Sequence, residues 1–315
     1  MDGQALIDGC AMQTTLKTEI RFQGQGLHSG APARLAIRPA PAHHGIWFHR
    51  TDIDGNAMIA ARHDAVVTSP LCTLLVNEAG VSVSTVEHVM AALSGCGVHN
   101  AVIEIDGPEV PILDGSAADF VRGIRKAGVR TLDAPVHVLE ILRRVAVQDG
   151  AASAELVPAD ELEIDFAIDF ADAAIGRQRK VLRLSNGTFV RELCDSRTFC
   201  RRADVDAMQA AGKALGGNLS NAVVVNGDRV ENPEGLRHAD EAVRHKMLDA
   251  MGDLALAGAP ILGRYTGIRA GHAMTNRLLH ALFADPLAYR VRTLTPSEGK
   301  VLPGAGLEHD RFEHV

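Results

Sequence analysis

Over the first 130 residues, polar and apolar side chains change places at short range. Thr15-Leu-Lys-Thr-Glu-Ile-Arg-Phe22 and Ala33-Arg-Leu-Ala-Ile-Arg38 alternate with a period near two, and the glycine-bearing Gly24-Gln-Gly-Leu-His-Ser-Gly30 between them reads as the turn of a hairpin. A turn signal at Asp52-Ile-Asp-Gly55 is followed by short strands at residues 65–67 and 72–76. A helix then opens near Ser84, a strand covers residues 101–106, and a second helix over 117–126 ends at Gly128. Thr131-Leu-Asp-Ala-Pro135 interrupts the periodic pattern and reads as a linker. Beyond it, strands are predicted at 136–147, 162–169 and 222–225, and helices at 203–211, 240–257 and 273–283. Interleaved strands and helices on both sides of a linker predict an α+β chain of two domains, 12–130 and 136–290. Residues 1–11 and 296–315 are expected as flexible ends.

Composition narrows the function classes. The 315 residues are 46% hydrophobic and 23% charged, which excludes a disordered or collagen-like chain. A net charge of −7 gives no basic face for nucleic acid, so no nucleic-acid partner is expected. No apolar run reaches about 18 residues and the first ten residues lack a basic, then apolar, leader pattern, so a cytoplasmic protein without stable membrane insertion is expected. Five scattered cysteines without a C-x-x-C pair read as reduced thiols. The 14 histidines direct attention to metal ligands.

Two strings carry the chemistry. In residues 236–258, His245, Asp249 and Asp253 fall at about 0°, 40° and 80° on a helix, opposite an apolar arc of Met247, Leu248, Met251, Leu254 and Ala255. An imidazole and a carboxylate four residues apart can take two positions on one zinc ion. The plain alternative is an i,i+4 pair on a solvated face. In Ser84-Thr-Val-Glu-His88, Glu87 fits the third position of a capping box on Ser84, and His88 beside it is a candidate nitrogen ligand. A catalytic zinc keeps three protein ligands and one open position, so His88 completes the pair on the later helix. The Gly107-to-Ser116 loop, Asp195-Ser-Arg-Thr-Phe-Cys200 and Gly267-to-Met274, with His272 after Gly271, read either as ordinary turns and strand ends or as substrate-lining segments.

These strings occur together in one family's order. Gly26-Leu-His-Ser-Gly30, Leu71-Cys-Thr73, Ser84-Thr-Val-Glu-His88, Gly107-Pro-Glu-Val-Pro-Ile-Leu-Asp-Gly-Ser-Ala117, Ser196-Arg-Thr-Phe199, Leu236-Arg237, Val243-Arg-His-Lys-Met-Leu-Asp249, Gly252-Asp253 and Gly271-His-Ala273 resemble the UDP-3-O-acyl-N-acetylglucosamine deacetylases of lipid A biosynthesis. The resemblance runs from about residue 12 to 283. It implies two layered β-α-α-β sandwich domains, each with a small insert, meeting at a zinc site. It implies one zinc per chain on His88, His245 and Asp249, with Glu87 as general base. His272 corresponds to the group that stabilises charge and protonates the amine, Asp253 to its orienting carboxylate, and Thr198 to the oxyanion hydroxyl. Lys246 and Phe199 correspond to contacts with the nucleotide sugar, and His28 to a histidine near the active site. Cys200, His238, Ala242 and Met274-Thr275 depart from the family pattern without removing any of these groups.

The implied reaction is hydrolysis of the N-acetyl group of a UDP-linked, 3-O-acylated glucosamine by a cytoplasmic monomer of a Gram-negative bacterium. Two other readings stand beside it: a non-catalytic nucleotide-sugar-binding protein with structural zinc, and a zinc amidase acting on another acetylated sugar.

Overall fold

The computed structural model describes residues 9–307. It is an α+β chain in which, among the described residues, two large sheets and five of six helices share one continuous apolar core, while the helix Arg202–Ala210 buries no residue. The helices are α1 (Glu87–Gly95), α2 (Ala118–Ala127), α3 (Thr188–Glu192), α4 (Arg202–Ala210), α5 (Glu241–Ala255) and α6 (His272–Phe283). No described helix is long and apolar enough to cross a membrane.

The first half builds a five-stranded sheet in the order Ile20–Gln25, Pro32–Pro39, Ala101–Ile105, Ile46–Arg50 and Met58–Ala60. The first pair is the expected hairpin, and only Ile46–Arg50 beside Ala101–Ile105 runs parallel. Alternate residues such as Leu35, Ile37, Phe48, Ile103 and Ile105 turn inward and are buried, the pattern of a sheet with one face on the core. Phe22 meets Phe120 of α2 edge-on at 4.9 Å between ring centroids. In the second half Ile261–Ile268 is the central strand. It runs parallel to Leu162–Asp169 and His137–Ile141 and antiparallel to Ala152–Val157. Val145–Asp149, Arg177–Arg183 and Tyr289–Thr293 complete seven strands. Each half also carries a small three-stranded sheet, at Val66–Val67, Leu74–Val76 and Ser82–Ser84, and at Phe199–Arg201, Val223–Asn226 and Arg229–Val230.

Three expectations are corrected. The segment Thr131 to Pro135 is no linker: it lies in the strand Val129–Pro135, paired antiparallel with Met12–Leu16. Leu132 and Ala134 point inward, and Pro135 is tolerated because it ends the strand at the sheet's edge. The predicted strand over 15–22 is two strands, broken at residues 17–19. Of the ends expected to be flexible, Ala11 exchanges backbone bonds with Leu294 and Val136, and Leu302 is buried against Val136, Val138, Leu262 and Leu294. Residues 1–8 and 308–315 lie outside the described residues.

The contact that matters for the site is between α1 and α5, from different halves of the chain. A glycine within a helix is disfavoured by about 1 kcal/mol relative to alanine. Gly252 nevertheless sits inside α5, because a Cβ there would lie 2.0 Å from the carbonyl oxygen of Glu87. The missing side chain lets the two helices approach backbone to side. Gly252→Ala should therefore lower stability by about 1–3 kcal/mol in urea denaturation despite alanine's better helix propensity. A more stable variant would contradict this close approach.

Candidate active site

The start of α1 differs from a capping box. Ser84 ends a strand paired with Leu74, Thr85 turns the chain at φ 58°, and Val86 precedes the helix with no side-chain cap bond. Glu87 turns inward instead. It is 4% exposed, and its Oε2 accepts the Thr73 backbone N–H at 3.1 Å. His88 follows it, also buried.

On α5, His245, Asp249 and Asp253 form the expected stripe, but the face is not solvated. All three are buried, because the stripe meets α1 while Met247, Leu248, Met251 and Leu254 pack on the other side. His88, His245 and Asp249 each bring one ligand atom to within 4.8 Å of the others, and this is the one such metal-competent group among the described residues. Asp249 Oδ1 lies 3.3 Å from His245 Nε2 and 3.6 Å from His88 Nε2. The two imidazoles stand edge to face at 5.1 Å.

The donor set fits a divalent metal on three counts. Asp249 Oδ1 is buried with no hydrogen-bond partner, a costly arrangement unless a cation meets it. Its other oxygen accepts from Lys246 Nζ at 2.7 Å. His245 Nδ1 donates to the Ser196 carbonyl at 3.0 Å, which leaves the Nε2 lone pair for a ligand bond. Burial pushes the His245 pKa down to about 4, so the ring is neutral, as a ligand must be. Burial would raise the Asp249 carboxyl, but the His245 imidazole, the Lys246 ammonium, His88 and His272 outweigh it and hold the group well below its usual range. Two nitrogens and one carboxylate oxygen are a donor set typical of catalytic zinc.

Beside these atoms lie Glu87 and His272. His272 is the first residue of α6, following Gly271, and its Nε2 is 3.7 Å from Glu87 Oε1 and 3.9 Å from Asp249 Oδ2. Its Nδ1 pairs with Asp253 Oδ2 at 2.9 Å. Burial alone would depress the His272 pKa, but Asp253, Glu87 and Asp249 reverse this and raise it to about 9. Burial moves Glu87 upward, partly opposed by His272 and His88. A carboxylate made more basic by burial beside a protonated imidazole is an acid/base pair.

The other expected residues sit at varying remove. Phe199 stands edge to face with His245 at 6.2 Å. Thr198 is fixed through its backbone, donating to Gly115 O and accepting from Val223 N, both at 2.7 Å. The crevice beside Phe199, Val223 and Ala242 holds about 10 Å³. His28 lies in the first glycine-bearing turn with both ring nitrogens buried and unpartnered. Burial lowers its pKa, and the charges of Lys213 and His272 add to this. His238, a departure from the family pattern, pairs with Asp195 at 2.9 Å.

Four residues without an assigned role in the sequence hold the site in shape. Thr73 donates its backbone N–H to Glu87 and its hydroxyl to Asp253 Oδ1 at 2.6 Å, so one residue positions both the carboxylate and the histidine's partner. Glu109 accepts the His28 and Ser29 N–H groups at 2.8 Å and the Thr85 hydroxyl at 3.1 Å, tying the first turn to the start of α1. Arg197, fully buried, bonds Glu241 at the start of α5 through Nε at 2.9 Å and through its backbone N–H at 3.0 Å. That ion pair holds the loop whose Ser196 carbonyl orients His245. Thr73, Glu109 and Arg197 each lie within a string that carries the family resemblance, Leu71-Cys-Thr73, Gly107 to Ala117 and Ser196-Arg-Thr-Phe199, but nothing in those strings gives their long-range partners.

The family model described as "LpxC: UDP-3-O-acyl N-acetylglycosamine deacetylase" matches residues 13–284. The chain belongs to this deacetylase family. Three relatives, each named UDP-3-O-acyl-N-acetylglucosamine deacetylase, illustrate the likeness. That of Phenylobacterium zucineum (strain HLK1) is 51% identical over 282 residues, covering 89% of this chain and 96% of the relative. That of Anaeromyxobacter sp. (strain Fw109-5) is 47% identical, covering 90% and 92%, and that of Shewanella sp. (strain W3-18-1) is 45% identical, covering 89% and 92%. Membership of this family makes the chain an amide hydrolase with a metal centre, and His88, His245 and Asp249 are its possible ligand group.

Thr73→Val tests the second line of support. It leaves the buried Asp253 Oδ1 without its donor, at a cost of about 1–3 kcal/mol. Urea denaturation should show that loss, and unchanged stability would mean that Asp253 does not depend on this hydroxyl.

Proposed function

We propose that this protein removes the N-acetyl group of UDP-3-O-(3-hydroxyacyl)-N-acetylglucosamine, giving acetate and the free amine, as a committed step of lipid A biosynthesis. The observation that carries the reading is the convergence of the His88, His245 and Asp249 ligand atoms beside the Glu87 and His272 pair, 3.7 Å apart. The relatives' names supply the substrate class, a UDP-3-O-acyl-N-acetylglucosamine.

His88, His245 and Asp249 would hold one zinc ion per chain. When bound, zinc supplies Lewis acidity, which acidifies water and polarises an amide carbonyl. Glu87 takes the proton from the attacking water at Oε1 or Oε2, its burial having raised its basicity. His272, held by Asp253 through Nδ1, keeps a proton on Nε2 at neutral pH. That proton stabilises the negative charge developing on the amide oxygen and can pass to the departing nitrogen. The Thr198 hydroxyl is the second donor to that oxygen. Lys246 and Phe199 contact the nucleotide-sugar part, Lys246 as the local cation for a diphosphate, and His28 offers unpartnered ring nitrogens to the substrate.

Three protein donors rather than four favour catalysis over a purely structural zinc, because a coordination position is left for water or substrate. We further take residues 12–130 and 136–290 as the two domains, and the protein as a cytoplasmic monomer.

Two variants separate the roles. Glu87→Gln should retain zinc but lose at least ~10²-fold in turnover, as expected for removal of a general base. Full activity in that variant would return Glu87 to a structural role. His245→Ala should lose zinc by elemental analysis, and an unchanged metal content would reject the ligand set. A substrate panel varying nucleotide and acyl group distinguishes this substrate from another acetylated sugar.

A further inference from the structure

A second space lies between the two halves, apart from the residues of the metal site. This cavity of about 460 Å³ is bordered by Trp47, Met90 and Leu93 from the first half and Met251, Leu254 and Ile261 from the second. Its volume falls within the range of small-molecule sites, and its walls are mainly apolar. On α5, Met251 and Leu254 lie on the arc opposite the His245, Asp249 and Asp253 stripe, so the helix serves the metal site with one face and this cavity with the other.

The polar border has a defined chemistry. Gln13 Nε2 lies 3.1 Å from His43 Nδ1, and Gln13 Oε1 accepts the His43 N–H and an Asn100 amide proton, which fixes the amide's orientation. His43 Nδ1 is therefore an acceptor and its Nε2 carries the proton. The Thr14 backbone N–H donates to His99 Nδ1 at 3.1 Å, which imposes the same tautomer on His99. Burial lowers the His99 pKa to about 4, so that ring is neutral. Neither Nε2–H meets an acceptor among the described residues. His43 also holds a positive φ of 63°, a conformation an L residue keeps only where its surroundings impose it.

Two ligand classes do not fit. A metal held by three side chains does not fit, since the described residues contain a single group of three or more metal-competent side chains, at the catalytic site. A phosphate would need a cation, and the one cation on the border, Arg62, is occupied by Asp64. Neutral donors above an apolar floor match an aliphatic chain ending in an acceptor. We propose that this cavity binds a medium-length acyl chain with a terminal carbonyl group, the chain on the methionine and leucine wall and the carbonyl on the Nε2–H groups of His43 and His99. This site is separate from the deacetylation reading and does not rest on it.

Trp47, the only tryptophan in the chain, borders the cavity and reports on it directly. Decanamide, titrated into the zinc-loaded full-length protein, should change Trp47 fluorescence saturably and raise the melting temperature. Ala259→Phe and Ser94→Phe, which place a ring in the cavity from two different segments, should each weaken the midpoint at least tenfold. The His43→Phe/His99→Phe double variant should do the same by removing the donors. Phe199→Ala should leave the midpoint unchanged, because a chain held at the deacetylase site would lie near Phe199. Absence of a saturable signal, its survival in both cavity-filling variants, or its loss in Phe199→Ala would each overturn the proposal.

Discussion

The contact between Gly252 and the backbone of Glu87 sets the dimensions of everything chemical in this protein. Ligand atoms from α1 and α5 can converge only if the two helices approach more closely than ordinary side chains allow. With a Cβ at 252 reaching to 2.0 Å of the Glu87 carbonyl, any other residue would drive the helices apart or turn one of them. His88 and His245 would then be carried away from each other, since each is rigidly attached to its helix. A single absent side chain thus couples packing to the 3.3 Å and 3.6 Å separations around Asp249 Oδ1.

Close approach also dries the interface, and dryness makes every unpaired polar atom expensive. The surrounding residues answer this almost completely. Thr73 meets Glu87 and Asp253, Asp253 meets His272, the Ser196 carbonyl meets His245 and Lys246 meets Asp249. Asp249 Oδ1 is left over on the metal ligands, and His28 and the Ser196 hydroxyl are left over nearby. An atom left bare where its neighbours are satisfied marks where a metal or substrate is to bind.

The sequence made the α5 stripe legible because His245, Asp249 and Asp253 share one helix, where spacing alone determines facing. The long-range half of the site was reached through the third ligand that a catalytic zinc requires and through family resemblance, since nothing local says that His88 meets a helix 157 positions later. The capping-box reading of Ser84 and Glu87 failed for a related reason. The same four-residue string serves a helix start or a buried carboxylate, and the choice rests on Thr85 turning the chain and on Thr73, which lies just before the strand Leu74–Val76. Thr131 to Pro135 hid a strand because Pro135 outweighed the period-two burial of Leu132 and Ala134. Arg177–Arg183 has too few apolar residues to be read as a strand at all. It is an edge strand that pairs only with Leu162–Asp169 and whose charges meet Asp165, Asp169 and Glu163.

Charge balance explains how an acidic protein can receive an anionic nucleotide sugar. The chain carries −7 overall, yet the groups gathered at the site are few and mixed. Glu87, Asp249 and Asp253 bring three carboxylates, against which stand Lys246 and a His272 whose pKa is raised to about 9. Without a metal the balance is negative, and a buried negative cluster is unfavourable in a dry interface. A divalent ion reverses the sign locally, so the same residues that would hold the metal gain a reason to be packed together and the site gains an attraction for a diphosphate. The net charge of the protein then matters little, because in a low-dielectric pocket the nearest charges dominate the potential.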